Sequence, residues 1–475
     1  MFQAQNIRQS TVSPLEIKVI AIYALDMNKK LITFLSILSL LLSTPLIPVN
    51  AAVKAGGACT KAGITTVASG KTFTCVKSGK KLVWDKGVGV TLSSSISDPQ
   101  VTSITSFSSI SDCKLITTLN EGGDLGFPRK GTYIPSTGNI KSYVIFVDFT
   151  DVPSDPRQIS EWKKYQMPTA EKQFPIMSYG KFNLTFDYAE KFYHLKTKSI
   201  DYLLNTPHDS PQNPKANPAA LIEDAMTLAD PDVDFSKYAF VNVVTPITEN
   251  ILYEGAQGMS GKSFDGKPFY MGTFGPIRQY LDDPYQHNWL VHESGHLLGL
   301  IHPFDPWNIQ RTYNANFGSF VWDVMAYPLT TAPDLFAWEK FVLGWFDENQ
   351  VNCLTTSNSE SVHLITPIGT KSSGTKMVTF KLSSTTALVI ESRRISSLDK
   401  INSNEEGVLV YKVNVNLGSN KGAVTMLYND ARARNANPNG MAGFGTLQVG
   451  EVLKAEGHTI KYIKRGKDGD FVSVY

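Results

Sequence analysis

Three histidines and one glycine between residues 292 and 302 restrict the fold more than any other feature of this sequence. His292 and His296 are four residues apart, so on an α-helix their imidazoles lie on one face and can reach the same ion. Gly299 follows, and glycine readily adopts the left-handed backbone at which a helix ends and the chain turns. Such a turn brings His302 back towards the other two histidines. The spacing therefore predicts a metal site with three imidazole ligands.

The chemistry of this donor set is that of a catalytic zinc site. Three imidazole ligands leave one coordination position of the ion open, as catalysis requires. Glu293 follows the first ligand directly, where its carboxylate can accept a proton from a water molecule activated by the metal. The alternative for His292 is a hydrogen-bonded histidine of the core, but the rest of the pattern would then have to occur by chance. The sequence predicts one catalytic zinc ion, with Glu293 as general base.

The pattern of apolar residues and helix caps predicts both helices and strands around this segment. Asp283 and Pro284 are typical of an N-cap and a first helical residue, so a helix is expected from Pro284 to about Leu298. Further predictions are strands at Tyr143–Val147 and Phe240–Val244, and helices at Ile159–Tyr179, Pro218–Leu228 and after Pro333. Pro168 and Pro175 fall inside the first of these helices and are candidate breaks.

The first residues of the chain have the features of a secretion signal. A basic start at Met27–Lys30 precedes an apolar run, Leu31–Leu42, which is shorter than the ~20 residues of a membrane-spanning helix. Small residues follow, so cleavage is expected after Ala51 or Ala52, and Met27 is an alternative start of translation. We therefore predict a signal peptide over residues 1–51 and a secreted mature protein without a transmembrane anchor.

Four cysteines are present, and in an exported protein an even number suggests disulfides. Four cysteines permit three pairings, and sequence alone does not choose among them. We favour Cys59–Cys75 as a local bond and Cys113–Cys353 as a bond across the main domain. None of the four has the CxxC spacing of a zinc or redox site.

The segment HESGHLLGLIH resembles the HExxHxxGxxH signature of the metzincins, zinc peptidases whose third histidine follows a glycine turn. These peptidases also place a methionine-containing turn under the metal. Residues Trp322–Tyr327, here called the Met-turn segment, look like that turn. The resemblance implies that Met325 lies under the metal. It also implies that Tyr327 takes the position of a tyrosine that, in some metzincins, ligates zinc or stabilises the oxyanion. Ordinary core packing is the alternative for both side chains.

Within the metzincins, the chain is most similar to immune inhibitor A-like secreted peptidases, over about residues 113–475. Those relatives usually carry aspartate at the position of His302, so this site looks more like that of ordinary metzincins. They also tend to have an acidic, glycine-containing loop after a segment like Val233–Tyr238, whereas here Ala239–Val241 follows directly. A calcium site is therefore unsupported. The segments that carry the similarity are Val144–Phe149, Met177–Lys181, Ala337–Trp345, Ile390–Arg394 and Gly407–Tyr411.

These observations predict an α+β protein. The expected metzincin-like zinc peptidase domain has a mixed twisted sheet, an active-site helix and a Met-turn, followed by a β-sandwich-like C-terminal domain and preceded by a small β module. The expected boundaries are a lysine-rich disulfide module at 52–88, a Ser/Thr-rich linker at 89–112, the peptidase domain at 113–352 and the C-terminal β domain at 353–475. The lysines within residues 53–88 permit a weak association with the cell envelope.

The leading hypothesis is a secreted zinc endopeptidase that hydrolyses peptide bonds with a zinc-activated water and Glu293 as general base. Its expected partners are protein or peptide substrates. A formal net charge of +2 gives no reason to expect a nucleic-acid partner. One alternative is an envelope-associated adhesin that retains the metal fold without turnover, although Glu293 is present. The other is zinc-dependent hydrolysis of a non-peptide bond.

Overall fold

A computed structural model describes two compact units, Met1–Ser97 and Asp98–Tyr475. The predicted signal peptide and the expected helix start at Asp283 and Pro284 lie outside the described residues. Within the described part of the chain, no helix is both long and apolar enough to cross a membrane. The described residues are 54–68, 71–89, 98–103, 107–119, 122–130, 132–205, 215–252, 255–277, 287–304, 322–355, 360–427 and 445–475.

The N-terminal unit contains a small antiparallel sheet. Its strands are β1 (Thr65–Ala68), β2 (Lys71–Ser78), β3 (Lys81–Trp84) and β4 (Val88–Gly89). β2 pairs with each of the other three strands. A disulfide joins Cys59 to Cys75, and Cys75 and Phe73 are buried. This disulfide confirms the local Cys59–Cys75 pairing that we favoured from the sequence.

A five-stranded mixed sheet and the longer helices form the first part of the larger unit. The elements are β5 (Gly138–Phe149), α1 (Arg157–Met177), β6 (Phe182–Leu195), α2 (Pro218–Ala229), β7 (Phe240–Thr245), β8 (Gly255–Gly258), β9 (Ser263–Phe264), β10 (Lys267–Pro268), β11 (Met271–Pro276) and α3 (Trp289–Leu297). The strand order is β6-β5-β7-β11-β8, and β9 and β10 form a separate hairpin. β8 is antiparallel to β11, whereas the other neighbours are parallel. β8 is therefore an edge strand.

The predicted strands and the second predicted helix are confirmed. Tyr143–Val147 lies within β5 and Phe240–Val244 within β7, and β7 is buried along its whole length, as expected of a parallel strand covered on both faces. α2 starts at Pro218, and the Oδ1 of its cap, Asn217, accepts a hydrogen bond from the Ala220 amide at 3.0 Å.

The helix predicted at Ile159–Tyr179 is confirmed as α1, and it continues through both of the candidate breaks, Pro168 and Pro175. Pro168 is on the exposed side of the helix and Pro175 is half-buried. The opposite side buries Trp162, Ala170 and Phe174, and α1 contacts β6 and α3. We infer that burial of this apolar face offsets the backbone hydrogen bonds that the prolines cannot make.

Two further sheets form the C-terminal part of the larger unit. Its elements are α4 (Ala337–Val342), β12 (Val351–Leu354), β13 (Ser361–Ile365), β14 (Met377–Lys381), β15 (Thr386–Arg393), β16 (Gly407–Asn414), β17 (Val424–Met426), β18 (Thr446–Leu447), β19 (Val452–Ala455), β20 (His458–Arg465) and β21 (Asp470–Val474). One sheet has the order β12-β14-β15-β16-β17, with β18 also paired to β16, and the other has the order β13-β21-β20-β19. Apolar side chains of both sheets share one buried cluster, which includes Phe380, Ile390 and Val472.

The larger unit is continuous across residues 352 and 353. The Cys113–Cys353 disulfide, the second favoured pair, connects the start of this unit to β12. One hydrophobic core includes residues of the five-stranded sheet, of α4 and of one face of β15 and β16. Residues 98–103 and 107–112, within the expected linker, also belong to the larger unit, and the Ser108 amide donates to the Cys353 carbonyl at 3.0 Å. The predicted α+β class is confirmed, and the domain boundaries stay predictions.

Candidate metal centre

α3 presents two of the candidate ligands. The α-helix begins at Trp289, after Asn288, and the described residues before it, His287 and Asn288, form a tighter 3-10 turn. Asn288 holds the helix start in place, since its amide donates to the Pro328 carbonyl at 3.0 Å and its Oδ1 accepts from Gln173 at 2.7 Å. The helix is buried along most of its length, because both its apolar and its polar residues face other elements.

The three histidines of the sequence pattern meet at one point. The Nε2 atoms of His292 and His302 are 3.0 Å apart, and the Nε2 of His296 lies 3.2 Å from each of them. Tetrahedral zinc with Zn–N bonds of ~2.0–2.1 Å requires nitrogens about 3.3 Å apart, so the triangle is close to the size of a zinc site. Within the described residues, these histidines form the only group of three or more histidine, cysteine or acidic side chains placed to share an ion.

Each ring is oriented through its other nitrogen. The Nδ1 of His292 is 2.7 Å from the Val324 carbonyl, and the Nδ1 of His296 is 2.9 Å from the Leu300 carbonyl. A carbonyl can only accept, so these Nδ1 atoms carry the protons and the Nε2 atoms direct lone pairs at one another. Three lone pairs this close repel unless a cation lies between them. The donor set therefore fits a metal ion.

Burial keeps these imidazoles neutral. It lowers the pKa of His292 to about 3, with a further contribution from the neighbouring His296. Burial also lowers the pKa of His296, and it holds the pKa of His302 well below its usual value. Only the neutral ring has a free lone pair for a metal, so the environment favours the ligand form of all three side chains.

The turn after α3 brings the third histidine to the site. Gly299 has a φ of +92°, and a Cβ at this position would lie 2.6 Å from the Tyr133 ring, so both the backbone and the available space require glycine. The guanidinium of Arg129 donates to the Leu298 carbonyl at 2.7 Å, and the Asp124 amide donates to the Gly299 carbonyl at 3.1 Å. The turn is therefore held from outside by the segment that precedes β5.

The Met-turn segment packs directly against α3. A Cβ built on Gly295 would lie 2.2 Å from Met325 Sδ and 3.0 Å from its Cε, so only glycine allows the helix and the methionine to approach this closely. Met325 is fully buried. The Asp323 carboxylate accepts from the Met325 amide at 2.5 Å, and the preceding carbonyl, that of Val324, is the His292 partner. The segment thus supports the His292 ring.

Gly295→Ala is expected to destabilise the larger unit. Replacing glycine by alanine in a helix gains up to ~1 kcal/mol of helix propensity, but overpacking of a buried contact costs ~1–3 kcal/mol. The expected net loss is about 1 kcal/mol in the free energy of unfolding, measured by urea denaturation. Gly258→Ala is the matched control, because no atom lies within 4 Å of a Cβ at that position. Equal stability of the two variants would show that the Gly295–Met325 contact is not tight.

Glu293 is buried next to the edge strand of the sheet. A Cβ on Gly255, the first residue of β8, would lie 3.9 Å from Glu293 Oε2. The carboxylate of Glu293 therefore lies beside the edge of the five-stranded sheet, and His292 and His296 are on the same helix. Tyr327 ends the Met-turn segment and is half-buried, and its amide donates to the Asp323 carbonyl at 3.0 Å.

A cluster of fully buried charged side chains connects the Met-turn segment to α4. The Asp323 carboxylate accepts from the Phe336 amide at 2.8 Å and is hydrogen-bonded to Glu339. Burial raises the pKa of Glu339 well above its usual value, and the nearby Asp323 raises it further. Burial also raises the pKa of Asp323, so the environment disfavours two negative charges on this pair of carboxyl groups. Lys340 forms an ion pair with Asp334 at 2.6 Å.

The same cluster continues into β15 through Arg393. Its guanidinium contacts Glu391 Oε1 at 2.6 Å and Asp399 Oδ2 at 3.1 Å, and it also donates to the carbonyls of Asp334 and Leu335. Burial opposes the charged form, but the surrounding carboxylates of Glu391 and Asp399 raise the pKa of Arg393. Arg393 therefore stays charged in the core and binds the chain that follows the Met-turn segment.

Comparison with known proteins does not identify the family of this chain. No protein-family model and no curated protein matches the sequence. Metalloproteinase-II from Bacteroides fragilis is 14% identical, with 59% of this chain and 78% of that chain covered and a TM-score of 0.26. Catalytically inactive OgpA from Akkermansia muciniphila, solved with an O-glycopeptide substrate, is 14% identical, with 67% and 90% covered and a TM-score of 0.24. These scores are too low to support an argument, so the functional conclusion depends on the site itself.

Sequence reasoning identified the converging histidines but not the residues that hold them. The contact of Gly295 with Met325, the buried pair of Asp323 and Glu339, and the contact of His302 with Ser419 described below were all missed. Gly295 lies within the signature, but the sequence alone gives no partner for it. Asp323 and Ser419 gave no signal, because nothing in the sequence relates them to their partners.

Proposed function

We propose that this protein is a secreted zinc endopeptidase with a metzincin-like site. The observation that supports it most is the convergence of the Nε2 atoms of His292, His296 and His302 within 3.0–3.2 Å, with Glu293 on the same helix. Neutral imidazoles in this arrangement are the donors that a catalytic zinc takes. When bound there, zinc would lower the pKa of a water molecule and polarise the carbonyl of a peptide bond.

The chain's own groups supply the proton transfer. Glu293 follows the ligand His292 directly, and its Oε2 lies on the side of β8. There the carboxylate accepts the proton of the attacking water and later donates it to the leaving amine. Burial of Glu293 limits competing contacts with bulk water. Tyr327, the last residue of the Met-turn segment, is proposed to stabilise the developing oxyanion through its hydroxyl.

The edge of the five-stranded sheet suits an extended peptide. β8 contains Gly255 and Gly258 and pairs only with β11 on its inner side within the described residues. An extended substrate can add to such an edge by backbone hydrogen bonds, which recognise a peptide regardless of its side chains. Because Glu293 Oε2 lies beside Gly255, a peptide on this edge passes the general base. This placement favours peptide substrates over other hydrolysable bonds.

The proposal also covers secretion, calcium, the family and the domain boundary. The disulfides Cys59–Cys75 and Cys113–Cys353 suit an oxidising compartment and support secretion. Calcium stays without support, because the acidic, glycine-containing loop expected after Val233–Tyr238 is missing from the sequence. The immune inhibitor A-like assignment and the boundary between residues 352 and 353 belong to this proposal as well.

Zinc content and chelation test the proposed function. The purified mature protein is expected to bind about one zinc per chain and to cleave casein or gelatin. A chelator should abolish cleavage and added zinc should restore it. His302→Ala removes one of three ligands and is expected to lower zinc affinity by at least ~10-fold, with a matching loss of cleavage. His458→Ala is the control, because His458 is far from the cluster in sequence and stacks on Phe380 in the C-terminal sheets.

Two results would contradict the proposal in different ways. A protein that binds stoichiometric zinc but cleaves none of a broad set of unfolded proteins would favour the binding-protein alternative. Cleavage that continues in a chain shown by metal analysis to be free of zinc would exclude the zinc mechanism itself.

A further inference from the structure

The third candidate ligand is contacted by a part of the chain that the sequence assigns to another domain. Ser419 and Asn420 lie in the connection between β16 and β17 and are 117 and 118 residues after His302. The His302 amide donates to Ser419 Oγ at 3.1 Å, and the same Oγ is 3.2 Å from His302 Nδ1. The Asn420 amide donates to the His302 carbonyl at 3.0 Å. This connection therefore contacts the amide, the carbonyl and the ring of His302.

The partner of the His302 ring differs in kind from those of the other two histidines. His292 and His296 each donate from Nδ1 to a backbone carbonyl, that of Val324 and that of Leu300. A substitution cannot remove a backbone carbonyl. The partner of His302 Nδ1 is instead the side-chain hydroxyl of Ser419, and it is therefore open to direct test by mutation.

The hydroxyl can act as the acceptor that selects the tautomer of His302. Ser419 Oγ has two lone pairs and one proton. It accepts from the His302 amide. When it also accepts from Nδ1–H, the Nε2 of His302 carries no proton and is directed at the other two histidines. An outer partner of this kind fixes the ring orientation and raises ligand basicity, and its loss typically lowers metal affinity by ~10–100-fold.

The connection is fixed in place from both ends. On the β17 side, the Val424 amide donates to the Pro303 carbonyl at 2.9 Å, which continues the pairing of this segment with the chain after the glycine turn. On the β16 side, Asn416 Oδ1 accepts from the Thr118 amide at 2.9 Å. Asn420 adopts a φ of +60°, a left-handed conformation that asparagine tolerates well. Ser419 is therefore presented by an anchored turn, although its own side chain is exposed.

We propose that Ser419 is a positioning residue of the metal centre, so that the strands after residue 353 complete the site built by α3 and its glycine turn. Ser419 does not touch the metal or the substrate, and it acts through His302. The inference rests on the proposed function only in that the three histidines are taken as ligands. It implies that a fragment ending near residue 352 would contain all three histidines but would hold the third one less well.

The test compares the zinc affinity of full-length Ser419→Ala, Ser419→Thr and wild-type protein by competition with a chromophoric chelator. We expect Ser419→Ala to raise the Kd for zinc by ~10-fold, and Ser419→Thr, which keeps the hydroxyl, to stay within about 3-fold of wild type. Asn416→Ala is the matched control, because it loosens the same connection without touching His302. Its Kd should also stay within about 3-fold of wild type.

A second readout separates ligand orientation from packing. Cobalt(II) in place of zinc gives visible absorption bands that depend on the geometry of its ligands, and these bands should shift in Ser419→Ala but not in Ser419→Thr. The thermal midpoint of the metal-free protein should be unchanged in Ser419→Ala, because the side chain is exposed.

The outcomes that overturn this inference differ from those that overturn the proposed function. Stoichiometric zinc with an unchanged Kd and unchanged cobalt bands in Ser419→Ala would refute the role of Ser419 and leave the zinc site standing. An equal loss of affinity in Asn416→Ala would also refute it, because packing of the connection would then be responsible. Failure of the wild-type chain to bind zinc would instead remove the proposed function.

Discussion

Glu293→Gln is expected to keep its zinc and to lose proteolysis by ~100-fold or more. Glutamine has nearly the shape of glutamate, so α3 and the converging histidines should be preserved. Its amide cannot accept the proton of the attacking water, and general-base catalysis contributes at least ~100-fold to such reactions. The measurement is kcat/KM on a fluorogenic peptide together with zinc content determined on the same preparation.

Two comparisons locate the origin of this loss. Tyr327→Phe removes only a hydroxyl proposed to face the oxyanion, which is worth ~3 kcal/mol or less, so its residual activity should exceed that of Glu293→Gln. Both variants should retain metal, whereas His302→Ala should bind it more weakly. If Glu293→Gln cleaves a protein substrate at the wild-type rate, Glu293 is not the base and the assigned mechanism is wrong.

Arg393→Ala is expected to destabilise the larger unit by ~3–5 kcal/mol. The substitution leaves the carboxylates of Glu391 and Asp399 in the core without their shared guanidinium, and removal of one partner from a buried ion pair costs about this much. It also removes the hydrogen bonds to the Asp334 and Leu335 carbonyls. Urea denaturation followed by tryptophan fluorescence can measure the loss, because Trp322, Trp338 and Trp345 are all buried in this unit.

The matched control is Arg157→Ala, which breaks an ion pair with Asp155 on the surface. Solvent screens this pair, so the urea midpoint should not change measurably. A double variant, Arg393→Met with Glu391→Gln, should recover part of the stability because it removes a buried charge together with its partner. If Arg393→Ala and Arg157→Ala behave alike, the buried cluster is not an important source of stability.

The buried charged side chains also connect the Met-turn segment to the C-terminal part of the larger unit. Asp323 binds the Met325 amide on one side and the Phe336 amide on the other. Arg393 donates to the carbonyls of residues 334 and 335, which directly precede Phe336 and the start of α4. The Met-turn segment is therefore connected through a few buried contacts to β15. Ser419 makes a separate connection from the same sheet to His302.

The sequence predicts the parts of the site that depend on local geometry. His292 and His296 are neighbours on any α-helix, and Gly299 permits the turn that returns His302, so the spacing alone predicts their convergence. The same reasoning predicts α2, whose asparagine cap and first proline are adjacent in the chain. It also predicts α1 but leaves open whether its prolines break the helix, because the burial of Trp162 and Phe174 that offsets them exists only in the packed structure.

What the sequence determined by itself was therefore the triad, the α+β class and the chemistry that three neutral imidazoles can perform. Only the tertiary structure decided what holds that triad: Met325 against Gly295, the Asp323 carboxylate within its turn, and Ser419 at the ring of His302. The physical reason is separation along the chain. A helix fixes the distance between residues four apart, whereas a contact between residues 302 and 419 exists only after the sheets have packed against each other.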